Sequence, residues 1–238
     1  MSDKKQTLFA PAERDGQPEL QKQSKGLLAI SMLRQLLDAV PDIMVILNDK
    51  RQVVFANQRL LDFLGTKDPR QVYGARTGEI LRCAHADETA GGCGTSESCL
   101  HCGGLLAILA SQQGKKNTQE CRIMRKEDGE ALTLRVTATP FELEGRQYTI
   151  FCMDDVSHEK RRQVLERVLF KEILDDAREV RQSAADLQEA DPTQLELFRG
   201  KTYRFSDELI EEVNEHWIVT AAESGELNIQ SRGVSTLD

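Results

Sequence analysis

Four cysteines fall within twenty residues of this sequence, at Cys83, Cys93, Cys99 and Cys102, with the spacing C-x9-C-x5-C-x2-C. Thiolates gathered this densely, in a chain whose N-terminus carries no apolar leader, point to a metal centre or a redox pair rather than to scattered core cysteines. Only one C-x2-C knuckle is present, where the strong zinc pattern carries two. Gly91, Gly92 and Gly94 bracket the second cysteine, and Gly103 and Gly104 follow the last. They let the backbone fold tightly enough to aim several sulfurs at one point. The expected ligands are therefore Cys83, Cys93, Cys99 and Cys102. Zinc and an iron–sulfur cluster both suit four thiolates, and the irregular spacing in a glycine-rich loop favours the cluster. A reversible disulfide and plain structural thiols are the other readings. His85 and His101 stand beside Cys83 and Cys102 and could replace a ligand, although surface histidines are the simpler reading. Cys121 and Cys152 lie in strand-like patterns and read as small core residues.

The rest of the chain must position these residues. Of its 238 residues 29% are charged and 5% aromatic, which suits a domain of ordinary size extended by solvated helices. A formal charge of -8 argues against nucleic acid or an anionic membrane as partner. No run is long and apolar enough to span a bilayer, and the expected location is the cytoplasm, where thiols stay reduced.

Residues 1–18 lack hydrophobic periodicity and read as a disordered lead. Residues 19–41 form an amphipathic helix, with Leu27, Ile30, Leu33, Leu37 and Val40 on one stripe and Pro41 as its stop. It serves either as packing or as a dimer contact. Between 42 and 157 the period is that of strands: 43–47, 52–56, 118–125, 131–140 and 147–153, with short helices and the cysteine segment between the second and third. This predicts an α+β domain on a five-stranded antiparallel sheet. After it, Leu165, Leu169, Ile173, Ala177, Val180, Ala184 and Leu187 form a coiled-coil-like seam. A break follows at Asp191-Pro192. A second helix, capped by Ser206, carries Leu209, Val213 and Trp217 at four-residue steps and ends at Gly225. Residues 158–227 thus read as an antiparallel helical hairpin, followed by a tail, 228–238. Such a hairpin buries too little alone, so a homodimer is expected.

Residues 42–157 resemble a PAS sensor domain, both in the order of their elements and in Asp154-Asp155-Val156-Ser157, which is similar to the Asp-Ile-Thr-type junction of that family. The two helices that follow resemble the dimerisation hairpin of PAS-containing sensor histidine kinases. The resemblance implies that the phosphoacceptor position, a histidine followed by an acidic residue, is occupied here by Lys171 and Glu172. It also implies that Asp175 stands where an asparagine is frequent. Lysine offers no imidazole nitrogen to a phosphoryl group, so the phosphotransfer chemistry is expected to be lost. Lys171 lies two residues from both Leu169 and Ile173 and so off the buried seam. His158 is too far along the chain to substitute for it.

No phosphate-cradling loop, His-Glu-x-x-His or nucleophile elbow occurs, and no Gly-rich nucleotide box follows the hairpin. The expected function is a non-catalytic, kinase-derived regulator whose metal site biases a hairpin that docks a response regulator or pairs with an intact histidine kinase. A scaffolding dimer with zinc or free thiols, or a fragment of a split kinase, are the alternatives.

Overall fold

Strands β1 (Ile43–Leu47) and β2 (Val53–Ala56) are apolar throughout because both faces of the sheet are covered where they lie. In the computed structural model, which describes residues 9–30, 32–189 and 191–223, Val45, Leu47 and Val53 point into one core and Met44, Ile46, Val54 and Phe55 into another. Strand β3 (Asn117–Met124) instead alternates, with Cys121 and Ile123 buried and their neighbours exposed. With β4 (Ala131–Leu143) and β5 (Arg146–Asp155) these strands form one antiparallel sheet of order β2-β1-β5-β4-β3. The expected five strands are present in the expected order, and β4 and β5 run longer than periodicity indicated. Strand β4 continues through Pro140 because its pairing with β3 ends at Ala138. The missing N–H there costs no ladder bond.

One face carries the short helices α3 (Gln58–Phe63) and α4 (Thr77–Ile80) and then α5 (Gly103–Gln112). Asn57 ties this layer to the sheet. Its side-chain carbonyl caps α3 through Leu60 N–H at 3.2 Å and also accepts from Met44 N–H at 3.0 Å, while its amide donates to Leu37 and Asp42 carbonyls. The other face carries α1 (Gln17–Leu28) and α2 (Leu33–Asp38), whose Leu20, Leu27 and Leu37 are buried with Phe55 and Tyr148. The single helix expected over 19–41 is therefore two, broken where Met32 takes a positive φ of 70°. Of the expected stripe, Leu27, Leu33, Leu37 and Val40 pack on the sheet, while Ile30 is exposed. The lead also departs from expectation. Its first eight residues lie outside the described residues, but Ala10 is buried, its N–H bonds to Gly94 O at 3.1 Å, and Arg14 pairs with Glu79.

The chain divides into two units, Met1–Lys160 and Arg161–Asp238. The first ends in a locked junction. Val156 and Ser157 are buried, Ser157 Oγ accepts from Thr133 N–H at 2.8 Å, and Asp155 Oδ1 caps Ser157 N–H at 2.9 Å. Here begins α6 (Ser157–Glu189), followed after a break by α7 (Leu195–Glu223). In the second unit the two helices run antiparallel: Ser183 meets Thr202 at 3.0 Å, and Glu172 meets Glu212 and His216 further along. Leu169, Ile173, Val180, Ala184 and Leu187 of the expected seam are partly covered, while Leu165 and Ala177 are exposed. On α7 the register differs from expectation. The helix starts at Leu195 rather than at Ser206, and Phe198, Thr202, Phe205, Ser206, Leu209, Glu212 and His216 are the partly covered positions, whereas Val213 and Trp217 are exposed. The mixed three- and four-residue steps of a helix face explain this: strict steps of four drift off it. Gly225 and the tail 228–238 lie outside the described residues. Among the described residues no helix is long and apolar enough to cross a membrane.

Candidate functional site

The residues between β2 and β3 fold over the sheet and enclose a cavity of about 510 Å³. All four predicted ligands line it, each from a different local element. Cys83 precedes the 3-10 turn Ala84–Asp87, Cys93 lies in the glycine loop, Cys99 is in the 3-10 turn Glu97–His101, and Cys102 caps α5. Two glycines permit this closeness. A β-carbon on Gly78 of α4 would stand 2.7 Å from Cys93 Sγ and 3.5 Å from Cys83 Cβ. One on Gly103 would stand 2.0 Å from the carbonyl oxygen of Glu120, so only glycine lets the start of α5 lie against β3.

That contact brings in a fifth thiol. Cys121 of β3 lines the same cavity, with its sulfur 3.6 Å from that of Cys102. Reading Cys121 as a small core residue accounts for its burial but misses this position; the available signals were the alternation of β3 and the Gly103-Gly104 pair. Cys152 lies instead against the opposite core, half-buried among residues of the α1 and α2 face. His85 and His101 are exposed at the edge of the cavity, and His85 pairs with Glu88.

Two guanidiniums that sequence reasoning also missed complete the wall. Arg76 is 1% exposed and donates to the carbonyls of Gly91 (3.0 Å), Cys93 (3.1 Å), Pro11 (3.2 Å), Glu13 (2.9 Å) and Lys50 (3.3 Å). Arg51, 3% exposed, donates to Pro11 O at 2.7 Å, and its Nε has no hydrogen-bond partner. Burial lowers the pKa of both; for Arg76 the fall is to about 10, with Arg51 and Arg14 nearby adding to it. Glu79 answers part of this charge. It pairs with Arg14 and accepts the backbone N–H groups of Arg76 (3.0 Å) and Cys93 (3.2 Å). No sequence pattern marks an arginine for burial; only the folded loops do.

The thiols differ sharply. Burial pushes Cys93 up to about 12 and raises Cys83. Cys102 is pulled down to about 6, first by the thiol of Cys121 donating to it and then by the Leu105 and Gly104 N–H groups at the start of α5, against the cost of burial. Cys121, as the donor, is pushed up correspondingly. The pair thus holds one negative charge easily and two only with a cation present.

Among the described residues no three cysteine sulfurs lie within 4.8 Å of one another; the group of three ligating side chains that close is Glu172, Glu212 and His216, on the exposed hairpin. Four sulfurs on one tetrahedral zinc would stand about 3.8 Å apart, given zinc–sulfur bonds of about 2.3 Å. The sulfurs of the four expected ligands are not gathered that closely in this structure.

Residues 31–98, from the start of α2 to the cysteine loop, match the family model described as PAS domain. With the five-stranded antiparallel sheet and its helices, this decides the architecture. The fold is PAS-like. Solved structures similar to the chain include the PAS domain of HTR-like protein from Haloarcula marismortui, with 20% identity, 52% of this chain and 95% of that one covered, and a TM-score of 0.36. The PAS domain of nitrogen regulation protein NR(II) from Vibrio parahaemolyticus has 16% identity, covering 52% and 98%, with a TM-score of 0.37. A Rhodobacter sphaeroides LOV protein has 12% identity, covering 82% and 96%, with a TM-score of 0.39. No curated protein matches the sequence. The PAS-like domain points to a role in signal transduction, and the cavity under α4 and α5 is its candidate sensing site.

Proposed function

We propose that the chain is a non-catalytic signalling regulator. Its PAS-like domain senses through a thiolate-bound metal centre, an iron–sulfur cluster in preference to zinc, and a helical hairpin acts on another protein. The convergence of Cys83, Cys93, Cys99 and Cys102 on one cavity walled by Arg51 and Arg76 carries this reading. Four thiolates around a metal core leave net negative charge, and two buried guanidiniums, one with a free Nε, offset it. A cluster supplies a centre whose oxidation state can change, whereas zinc supplies a fixed crosslink. The chain's own residues hold the loops in place: Arg76 fixes the carbonyls of Gly91 and Cys93, and Glu79 fixes the N–H of Cys93. The route outward is short. Glu120, adjacent to Cys121, pairs with Lys160 in the first turns of α6 at 2.6 Å, and Arg135 pairs with Glu159 at 3.2 Å. A shift of β3 is therefore felt where the output helix starts.

The hairpin works by binding. Its resemblance to kinase dimerisation hairpins puts Lys171 and Glu172 at the phosphoacceptor position, and Lys171 is exposed there without an imidazole to accept phosphate. Exposed Leu165, Val168, Leu174, Ile210 and Trp217 favour a second copy of the chain as cover, giving a homodimer that docks a response regulator or pairs with an intact histidine kinase. Reliance on free thiols favours the reducing cytoplasm.

The test is metal and sulfide analysis, with an absorption spectrum, on protein purified without oxygen, repeated for Cys99→Ser. Iron and sulfide with a visible spectrum that Cys99→Ser weakens is the expected result. Zinc without colour, or no metal, removes the sensing role and leaves a scaffold. Labelled phosphate retained on the chain after incubation with ATP alone would defeat the non-catalytic reading.

A further inference from the structure

Five thiols line a cavity for which the sequence offers four, and two of the five are placed differently from the rest. We propose that Cys121 is a metal ligand and that it shares one ion with Cys102. The inference rests on the reading of the cavity as a metal site and alters the ligand set that reading begins from. Cys102 Sγ and Cys121 Sγ stand 3.6 Å apart. Two sulfurs bound to one tetrahedral ion at about 2.3 Å lie about 3.8 Å apart, so this pair is already spaced as a chelate.

The backbone is built to hold that spacing. Gly103 rests on the Glu120 carbonyl, which no other residue would allow, and this fixes the end of α5 against β3 one residue from each cysteine. Gly104 lies over the pair, its β-carbon position 3.4 Å from Cys121 Sγ and 3.7 Å from Cys102 Sγ, so the helix start faces both sulfurs at contact distance. By contrast, Cys99 Sγ is already engaged by Gly94 N–H and the Ser96 hydroxyl, each at 3.3 Å, in a separate small core with Ala10 and Leu105. The two remaining positions of a four-thiolate site fall to two of Cys83, Cys93 and Cys99.

Cys121 differs from the other four in being the one thiol of the cavity carried by the sheet. Ligands confined to the loops between β2 and β3 would let a centre tighten or release those loops alone. With Cys121 bound, the centre is fastened to β3, whose next residue, Glu120, holds Lys160. The assignment thus gives the site a mechanical hold on the output end of the domain.

The experiment titrates the full, metal-free chain with Co(II), whose thiolate charge-transfer absorption scales with the number of bound sulfurs, and separately measures iron and sulfide after anaerobic reconstitution. Cys121→Ser, Cys121→Val, Cys102→Ser and Cys152→Ser are compared with the unaltered chain, and circular dichroism checks folding. Valine is apolar and near cysteine in size, so it preserves a merely structural role. The expected result is that both Cys121 variants and Cys102→Ser lose charge-transfer intensity and weaken Co(II) binding at least tenfold, while Cys152→Ser does neither. Folded Cys121→Val with an unchanged cobalt spectrum and unchanged iron overturns the inference and leaves the metal-site reading intact. Cobalt binding that depends on Cys121, in a chain that takes up no iron or sulfide, supports the inference and defeats the cluster. An unaltered chain that binds neither metal overturns both.

Discussion

The two units spend their apolar residues in opposite ways. In the first, Phe55, Phe151, Leu47 and Leu60 are fully buried, and even two arginines are enclosed, so that unit specifies its own interior. In the second, Leu165, Phe170, Ile210 and Trp217 remain exposed, and Ser183 is the one buried side chain among the described residues of that unit. A helix pair with a bare apolar stripe is complete only when something covers it. One region encloses a cavity; the other leaves its apolar residues bare.

The sharpest way to break this contrast is to empty the enclosed charge. Arg76→Leu leaves the half-buried carbonyls of Cys93 and Glu13 without their donor and Gly91 O with Arg14 alone, and should cost about 3 kcal/mol in urea unfolding of the full chain, along with its metal content. A loss under half that would mean the interior tolerates unmet carbonyls and is less closed than described. Next in size, Gly103→Ala drives a β-carbon into backbone and should cost about 2 kcal/mol, with parallel loss of metal. On the other side of the comparison, Leu174→Asp should weaken self-association at least tenfold, about 1.4 kcal/mol, by sedimentation, while leaving unfolding of the PAS-like unit unchanged. A chain that is monomeric before the substitution would refute the second-copy cover.

Two smaller effects follow pH. In metal-free protein, alkylation of Cys102 should be slow below about pH 6, where its thiol is protonated, and fast above it. Cys121→Val removes the donor and should move the midpoint toward the ordinary thiol range near 8.5. In the hairpin, the hydrogen bond and negative charge of Asp176 raise Glu212 to about 7. A carboxyl whose folded pKa is raised adds stability at low pH and loses it as pH climbs through the folded value. Hairpin helicity should therefore fall slightly between pH 5 and 8, and Glu212→Gln should flatten that slope.

The strands were legible in the sequence because burial leaves short apolar or alternating runs bounded by turn residues: IMVIL before Asn48-Asp49-Lys50 is one such run, and 118–125 before Glu127-Asp128-Gly129 another. The four clustered cysteines were legible for the same kind of reason, since their chemistry and spacing are local. What could not be read locally was whatever depends on contacts across the chain. Cys121 joins the cavity through β3 packing under Gly103. Arg51 and Arg76 are buried by loops far from them in sequence. Trp217 stepped by four from Val213 and seemed to extend the stripe, yet the helix rotates it outward and gives the covered positions to Glu212 and His216. The lead was misread because nothing in its composition tells that Pro11 and Glu13 would lend their carbonyls.

Those two carbonyls set a practical boundary. A shortened chain beginning at α1 would keep each helix and strand among the described residues, yet it would strip Arg76 of two acceptors and Arg51 of the carbonyl it bonds there. The roof of the cavity would go with them, opening buried thiols to solvent and oxidants. Stability and thiol lifetime would then change together on removal of residues 9–16, which belong to no helix or strand, so the smallest faithful version of the domain begins at or before Phe9.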